Sequence, residues 1–446
     1  MNDRKERSLL SKLNLPTHLL VAASAWISRI IVTIIQFITI RILLESLGVE
    51  NYAVFMLLNG VTGWFMLADM GIGVSVQNYI SEARAGNQPY DILIATSAFL
   101  ATTLLFGMVF LLYFSSPYIG PLFLKNYTYL SNIEKNNLFF ATGALSIGTG
   151  MGGVIYKIWY AEQKGHLSNI IPAAASVIGL LGLIIINQTQ QENRLFLSLI
   201  AVMAPTTLLP LLLLIRKLTI HNFRLFPKSE RRKTVSEIMK RGSHFWLFSI
   251  LAAGVLQVDY IVISQFLPPH DVAVYSISTK IFGFAFFVYN AILMALWPVF
   301  AEHIAKGKWN EVNKYLRKYL TFGLFFILFC TIALFWLMPI AINILAPREN
   351  IIIPTGLIIL LGCYQLIRVW ADTFSMLLQS MNYLKPMWIF VPLQALMSFT
   401  LQWVLAPRFG VYGVVSGLIG SFIFTVAWGF PLATRKIYKI STREAQ

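Results

Sequence analysis

The stretch 364–382 reads YQLIRVWADTFSMLLQSMN. Its polar residues recur every three or four positions, which is the spacing of one face of an α-helix; they are Gln365, Arg368, Asp372, Ser375, Gln379 and Asn382. Leu, Ile, Val, Trp, Phe and Met fill the other faces. At 1.5 Å per residue the polar stripe is ~26 Å long. The stretch therefore predicts a helix suited to lipid that carries one polar face.

The rest of the chain is as apolar as this stretch. Its 446 residues are 57% hydrophobic and 12% charged, with a mean hydropathy of +0.68, whereas soluble domains are about 25% charged. The bilayer must therefore be its solvent. Twelve apolar segments have spanning length: 17–43, 51–79, 90–114, 136–160, 168–187, 195–215, 243–266, 271–300, 316–338, 352–380, 386–406 and 411–434. We predict an all-α integral membrane protein with twelve transmembrane helices and both termini on one side.

Basic residues give the orientation. Of the 35 Lys and Arg residues, 26 lie in tails and loops on the side of the termini, 6 on the opposite side and 3 inside predicted helices. This bias places both termini in the cytoplasm. It also explains the net charge of +16 through contact with an anionic inner leaflet, so no nucleic-acid partner is expected.

A weak internal repeat divides the chain. LGVENYAVF (47–55) and LPPHDVAVY (267–275) align at an offset of 220, and each would join the first two helices of a six-helix half. We therefore expect an N-terminal bundle at 1–215, a basic cytoplasmic linker at 216–242, a C-terminal bundle at 243–434 and a tail at 435–446. Two repeats of six helices each would have the same orientation in the membrane. Such repeats are related by an axis along the membrane normal.

Six charged residues fall inside the predicted spans, where each costs roughly 2.5–3.5 kcal/mol on insertion scales; they are Arg29, Asp69, Asp259, Lys280, Arg368 and Asp372. In a helical hairpin, residues equally far from the turn lie at the same depth. This rule pairs Arg29 with Asp69 and Asp259 with Lys280, and i, i+4 spacing pairs Arg368 with Asp372. Such pairs can lock helices together or act in transport, and both interpretations remain open.

The polar faces of the predicted helices would line a cavity between the two halves. Candidate substrate-binding residues are Arg29, Thr33, Gln36, Asn59, Lys280, Gln365, Arg368 and Gln379, and candidate ion-coupling residues are Asp69, Asp259 and Asp372. Arg29 is the favoured phosphate ligand, because a guanidinium binds phosphate through a planar bidentate fork.

No motif indicates an enzyme, a cofactor or a metal site. The six histidines are scattered without metal-ligand spacing, and no nucleophile lies in a recognisable catalytic motif. The glycine-rich GTGMGG (148–153) follows no predicted strand, so close helix packing explains it better than phosphate binding, as it does for Gly413 and Gly417.

One run resembles a known family. The segment 41–85 contains a pattern similar to that of the polysaccharide transporter family, which includes the O-antigen flippases and belongs to a superfamily shared with multidrug extruders and lipid II flippases. The matching residues are Arg41, Leu43, Leu47, Gly48, Tyr52, Leu67, Asp69, Gly71, Ile72 and Gly73. The twelve-span layout, the central basic loop and the half-repeat agree with this family over nearly the whole chain.

The resemblance implies two six-helix bundles in a V around a central cavity. It also implies a flippase that moves an undecaprenyl-diphosphate-linked oligosaccharide, an O-antigen or similar repeat unit, from the cytoplasmic to the outer leaflet of the bacterial inner membrane. Alternating access coupled to a proton or sodium gradient would drive it. The expected partners are this glycan, the membrane, and a polysaccharide polymerase and chain-length regulator; the protein is expected to be a monomer. A multidrug or metabolite extruder is the alternative, and a membrane scaffold is a third interpretation.

Overall fold

The computed structural model describes residues 17–189, 193–221, 223–349 and 351–444. These residues form helices and turns and contain no strand. The α-helices are α1 Thr17–Gly60, α2 Thr62–Met66, α3 Ile72–Ala85, α4 Asp91–Phe123, α5 Asn132–Gly152, α6 Val154–Ala161, α7 Gly165–Gln188, α8 Arg194–Ile220, α9 Lys228–Leu256, α10 Val258–Phe266, α11 Pro269–Ala305, α12 Trp309–Leu345, α13 Thr355–Ser380, α14 Lys385–Phe424 and α15 Val426–Glu444. Short 3₁₀ helices span Leu67–Asp69 and Phe223–Leu225. The predicted all-α class is confirmed.

Within the described ranges, nine helices are long and apolar enough to cross a membrane. The number becomes ten when α9 and α10, which meet at a bend of 43°, count as one span. Two of the ten contain a glycine with non-helical backbone angles, Gly48 (φ 72°, ψ 172°) and Gly410 (φ 56°, ψ −134°).

The chain reverses at both glycines. A Cβ on Gly417 would lie 2.7 Å from Gln402 Cγ, and the rings of Phe390 and Trp428 are 5.3 Å apart, so the two arms of α14–α15 run side by side. At the other hairpin, Val21 lies against Gly165 at the start of α7 and Gly73 lies against Lys157 on α6, so the two residues lie near the same part of the unit although a straight helix would carry them far apart. Counting each arm as one crossing gives the predicted twelve, but the number of membrane crossings itself stays a prediction.

Both halves of the aligned repeat coincide with a reversal. The segment 47–55 contains the Gly48 turn, and the segment 267–275 contains the break between α10 and α11. Each aligned segment therefore contains a turn between two successive helical stretches.

The described chain forms two compact units that interleave along the sequence. One contains the described residues within 1–42, 65–115 and 140–247; the other, which we call unit 2, contains those within 43–64, 116–139 and 248–446. The predicted bundles at 1–215 and 243–434 follow the order of the chain, whereas in the structure two N-terminal segments pack with the C-terminal helices. The predicted linker 216–242 is largely helical, because α8 extends to Ile220 and α9 begins at Lys228.

Helix α13, which carries the quoted polar stripe, is the central helix of unit 2. It packs against α11, α12, α14 and α15. On one side Val369, Met376 and Leu377 join an apolar cluster with α11 and α12. On another side Phe374 and Leu378 join a second cluster with α9, α14 and α15. The stripe is one turn shorter than expected, because the helix ends at Ser380 and Asn382 adopts a left-handed φ of 53°.

The predicted second span, 51–79, is interrupted near the family motif. Asp69 ends a 3₁₀ turn, Met70 and Gly71 are left-handed, and α3 then begins at Ile72. A Cβ on Gly71 would lie 2.2 Å from the carbonyl oxygen of Gly242, so only glycine fits between this turn and α9.

Further contacts dock α3 on α9. Ser75 Oγ donates a hydrogen bond to the carbonyl of Ile238 (3.0 Å), and Arg241 forms a bidentate ion pair with Glu82 (2.8 and 3.1 Å). The hydrogen bonds from Arg241 hold the pKa of the Glu82 carboxyl below its ordinary value. The motif is therefore a packed corner of the unit.

The glycines of 148–153 allow close packing, as the sequence predicts. A Cβ on Gly150 would lie 2.6 Å from the carbonyl of Met66, and one on Gly152 would lie 2.8 Å from the backbone nitrogen of Leu211. A Cβ on Gly413 would similarly lie 2.2 Å from the carbonyl of Leu405. These positions bring helix backbones together.

Candidate functional site

Unit 2 contains four of the predicted charged residues, which lie on three helices. Asp259 lies in the first turn of α10, Lys280 lies on α11, and Arg368 and Asp372 lie on α13. The bend after α9 creates a new helix N-terminus at α10, and a carboxylate in the first turn of a helix interacts favourably with the helix dipole. We call Asp259, Arg368 and Asp372, with Tyr275, Phe286 and Tyr364, the unit 2 cluster.

Asp259 is bound by neutral donors. Only 7% of the residue is exposed. Its Oδ2 accepts a hydrogen bond from the hydroxyl of Tyr275 on α11 (2.5 Å), and its Oδ1 accepts one from the backbone N–H of Tyr260 (3.0 Å). The predicted ion pair with Lys280 is absent among the described residues, so that pairing is wrong.

Lys280 is a half-buried cation without an ionic partner. No carboxylate of the described chain lies within 4.0 Å of its ammonium, and it makes no hydrogen bond there. It follows Tyr275 by five residues, which turns it about 140° around α11 from the side chain that reaches Asp259. Equal depth therefore does not bring Lys280 and Asp259 together.

Arg368 and Asp372 do interact, as i, i+4 spacing predicts. Arg368 Nη2 donates to Asp372 Oδ2 at 3.4 Å, and the side chains are 22% and 35% exposed. The guanidinium carbon lies 3.9 Å from the centroid of the Phe286 ring and 5.8 Å from that of Tyr364. Arg368 Nε is buried and has no hydrogen-bond partner among the described groups. The guanidinium is thus held by an aromatic face and keeps donors that Asp372 does not use.

The amides of the stripe differ in environment. Gln365 is 3% exposed, and its Oε1 is buried without a partner in the described chain. Gln379 Nε2 donates to Ser375 Oγ (3.0 Å), one turn back on the same helix. The predicted polar face therefore changes from a buried amide at Gln365 to locally bonded, half-buried groups at Gln379 and Ser375.

Asn59 is half-buried on α1 and belongs to the same unit. Its backbone carbonyl accepts a hydrogen bond from Thr62 Oγ1 (2.8 Å). The next residue, Gly60, lies directly against the ring of Tyr260, since a Cβ there would be 2.1 Å from the ring carbon Cγ. Asn59 thus lies close to the turn that holds Asp259.

The remaining predicted residues lie in the other compact unit. Arg29 and Gln36 are exposed on α1, and Thr33 Oγ1 donates to the backbone carbonyl of Arg29 (2.8 Å). Asp69 Oδ1 accepts the N–H of Gly71 (3.0 Å), and Lys157 lies beside it over Gly73. Asp69 makes no ion pair with Arg29, so this predicted pair is also wrong: the carboxylate closes a turn at the end of the helix.

Tyr275, Phe286 and Tyr364 were missed from the sequence. Aromatic residues in apolar runs pack in a core far more often than they contact charges, so the sequence carries no signal that separates them. Within the described residues no three His, Cys, Asp or Glu side chains are grouped as metal ligands. The cluster therefore combines charged and hydrogen-bonding side chains on neighbouring helices.

Long apolar helices that enclose charged side chains define a multi-pass membrane protein with a polar interior. Residues 22–304 match the family model described as polysaccharide biosynthesis protein. The chain therefore belongs to this family. Residues 246–404 also match the family model named MatE.

Curated relatives span almost the whole chain. A putative O-antigen export protein of Yersinia pseudotuberculosis is 39% identical over 429 residues, covering 95% of this chain and 97% of the relative. A putative O-antigen transporter of Salmonella typhi is 38% identical over 423 residues, with coverage of 95% and 97%.

Solved transporters share the fold at low identity. The lipid II flippase MurJ in an inward closed conformation aligns with a TM-score of 0.71 at 14% identity, covering 94% of this chain and 87% of that one. An inward-facing multidrug resistance transporter of the MATE family aligns with a TM-score of 0.69 at 14% identity, with coverage of 92% and 96%. The predicted extruder-like helical fold is confirmed.

Proposed function

We propose that this protein is a flippase for an O-antigen-type repeat unit linked to undecaprenyl diphosphate, which it moves from the cytoplasmic to the outer leaflet by alternating access. Membership of a polysaccharide biosynthesis family and near full-length similarity to proteins named for O-antigen export support this proposal. The sugar and diphosphate would cross through the polar interior while the isoprenoid tail stays in lipid.

The observation that carries the proposal is the environment of Arg368. Phe286 orients the guanidinium at 3.9 Å, Asp372 uses one donor through a long 3.4 Å bond, and Nε has no partner in the described chain. Guanidinium groups bind phosphate oxygens through two parallel hydrogen bonds, which need donors such as these. Arg368 would therefore hold the diphosphate, with Asp372 as the internal competitor for the same cation.

The other predicted residues have supporting roles in this proposal. Arg29 and Lys280 are further candidates for contacting phosphate, and Lys280 is the stronger candidate because its expected ionic partner does not reach it. Thr33, Gln36, Asn59, Gln365 and Gln379 would offer hydrogen bonds to sugar. Asp69, Asp259 and Asp372 are the candidates for binding the coupling proton or sodium ion, because binding a cation at a carboxylate changes its attraction for a basic neighbour.

A multidrug or metabolite extruder is the second candidate, favoured by the match of residues 246–404 to the MatE model. The two functions differ in the charged side chains that they require in the protein interior. A diphosphate needs unneutralised cations in the interior, whereas a cationic drug needs unpaired carboxylates.

The test replaces Arg368 in cells that depend on this gene for O-antigen export. Because a hydrogen bond to a charged group contributes about 1.5–3 kcal/mol, Arg368→Ala should lower surface O-antigen about tenfold or more, and Arg368→Lys should restore it only in part. Lipid-linked repeat units should accumulate in the cytoplasmic leaflet, with drug tolerance unchanged. Surface polysaccharide is measured by gel analysis of lipopolysaccharide, at matched amounts of protein in the membrane.

Arg408→Ala is the matched control, because Arg408 is an exposed arginine outside the cluster. Normal O-antigen in both variants would contradict the role of Arg368. Loss of drug tolerance with normal O-antigen would favour the extruder.

We further propose a monomer in the bacterial inner membrane with both termini in the cytoplasm. A polysaccharide polymerase and a chain-length regulator are its proposed partners, because they act on the same repeat unit after it has crossed.

A further inference from the structure

Unit 2 contains a second polar region that the proposed transport path does not use. It is a cavity of about 380 Å³ at the beginning of α12, the end of α13 and the middle of α15. We call it the basic cavity. Its lining residues are Trp309, Val312, Asn313, Leu316, Arg317, Leu320, Trp370, Phe374, Leu377, Met381, Thr434, Arg435 and Tyr438.

The basic cavity and the unit 2 cluster lie on opposite faces of α13. The helix contributes Trp370, Phe374, Leu377 and Met381 to the cavity, at the helical spacing of 4, 3 and 4. At 100° per residue this face is about 190° from the stripe that runs from Gln365 to Gln379. A ligand in the basic cavity is therefore separated from Arg368 and Asp372 by the body of the helix.

The cavity presents positive charge without a counter-charge. Arg317 and Arg435 both line it, and neither makes an ion pair or a hydrogen bond within the described chain. No acidic residue is among the lining residues. Asn313 adds an amide, whereas the hydroxyl of Thr434 is already donated to the carbonyl of Phe430 (2.9 Å). Two guanidiniums that face one space without a carboxylate favour an anion with several oxygen atoms.

The rest of the lining is apolar and aromatic. Leu316, Leu320, Phe374, Leu377 and Met381 cover the walls. Trp309 stands edge-on to Tyr438, with ring centroids 5.9 Å apart. The indole of Trp370 is fixed by a hydrogen bond to the carbonyl of Ala427 (2.7 Å). A small inorganic anion would leave this apolar surface exposed to water, so the ligand should carry an apolar part beside its anionic group.

The expected depth of the basic cavity in the membrane is suitable for binding a lipid of the inner leaflet. Arg317 and Arg435 lie in segments that the distribution of basic residues places at the cytoplasmic surface. Tryptophan and tyrosine are enriched at that depth, and basic pockets between helices on this side bind anionic head groups.

From this geometry we infer that the basic cavity is a binding site for the phosphate-bearing head group of an anionic membrane lipid. The two guanidiniums hold the phosphate, and the apolar walls hold the first part of an acyl chain. Because the site is separate from the cluster, the inference does not depend on which substrate the protein moves.

The experiment measures lipid retention by native mass spectrometry of the full-length protein. Wild-type protein is compared with Arg317→Gln/Arg435→Gln, and Lys314→Gln is the matched control, because Lys314 lies on the same turn of α12, outside the cavity, paired with Glu311 (3.8 Å). Short-chain phosphatidylglycerol, phosphatidylcholine and inorganic phosphate alone are the three probes.

We expect wild-type and Lys314→Gln proteins to retain phosphatidylglycerol in preference to phosphatidylcholine. The double variant should bind it more weakly by about tenfold for each guanidinium removed. Equal retention by all three proteins, or equal retention of the two lipids, overturns the inference. Binding of inorganic phosphate with no preference for either lipid overturns the assignment to a lipid. The thermal stability of each variant, measured without added lipid, separates lost binding from misfolding.

Discussion

At the scale of single residues, the charges of unit 2 are stabilised by aromatic side chains. A buried carboxylate is tolerated only when hydrogen-bond donors reach it, and Asp259 has the Tyr275 hydroxyl and the Tyr260 N–H. A desolvated guanidinium gains attraction from the face of an aromatic ring, and Arg368 lies 3.9 Å from the Phe286 centroid. Neither of these two interactions involves an oppositely charged side chain. Within the described chain Asp259 therefore makes no ion pair, and Arg368 uses only its Nη2 donor on Asp372.

Replacing Tyr275 tests this stabilisation. Tyr275→Phe removes the donor and leaves a buried carboxylate oxygen without its partner, which costs about 1–3 kcal/mol. We expect a lower unfolding temperature in detergent, measured by differential scanning fluorimetry. Tyr118→Phe, at a side chain that is 80% exposed, should change nothing.

A double-mutant cycle tests the interaction between Tyr275 and Asp259. If the hydroxyl acts only through Asp259, Tyr275→Phe should cost little in an Asp259→Ala background, which removes the acceptor. Equal costs in both backgrounds would show that the tyrosine acts through other contacts.

At the scale of elements, the family motif LADMGIG (67–73) forms a corner between two helices. Asp69 accepts the Gly71 N–H, and Gly71 lies against the Gly242 carbonyl on α9. The indole N–H of Trp246 also donates to the carbonyl of Leu67 (2.7 Å). The end of the second span is thus tied to the start of the seventh by backbone contacts, which tolerate little change in shape.

Gly71→Ala should disrupt this corner. The new Cβ would lie 2.2 Å from a backbone oxygen, at a residue whose φ is +72°. Left-handed backbone at a non-glycine residue costs of order 1–3 kcal/mol, and the clash adds to this. We expect a large drop in folded protein, measured by size-exclusion chromatography after extraction. Gly107→Ala is the control, because no atom lies within 4 Å of its Cβ position; equal yields of the two variants would contradict the packing described here.

At the scale of the whole molecule, two compact units interleave along the chain. Unit 2 includes the Gly48 hairpin and the 116–139 segment beside its C-terminal helices. Contacts such as Asn126 Nδ2 to the carbonyl of Ser264 (3.2 Å) and Trp64 Nε1 to the carbonyl of Gln257 (3.2 Å) hold these pieces together. These contacts therefore join segments of unit 2 that lie far apart in the chain.

The orientation in the membrane can be tested with single cysteines in a variant that lacks Cys330 and Cys363. Of the 35 basic residues, 26 lie on the side of the termini, which predicts that this side is cytoplasmic. Cysteines placed at Gln88 and Lys308 should therefore react with a membrane-impermeant maleimide only after the membrane is permeabilised. Cysteines at Thr128 and Arg348 should react in intact spheroplasts. All four positions are exposed. The reverse labelling pattern would show that the termini lie outside the cytoplasm.

Much of the site follows from local sequence, and part of it does not. The pair Arg368–Asp372 was predictable because i, i+4 residues of one helix are neighbours wherever the helix lies. The interhelical contacts of Asp259, Lys280, Arg29 and Asp69 were not predictable. The depth of a residue along a hairpin does not show how its helix is rotated about its own axis. Lys280 is turned away from Asp259, and Asp69 closes the turn at Gly71.

The helical class, the membrane environment and the reversals near Gly48 and 267–268 were predictable from the amino-acid sequence alone. These depend on the composition, length and periodicity of single segments, which act before any two segments meet. By contrast, the groups that stabilise Asp259 and Arg368, and the cavity that Arg317 and Arg435 share, could be identified only in the folded chain. Those outcomes depend on how each helix is rotated against its neighbours, and rotation is determined by the packing of many side chains from distant parts of the chain.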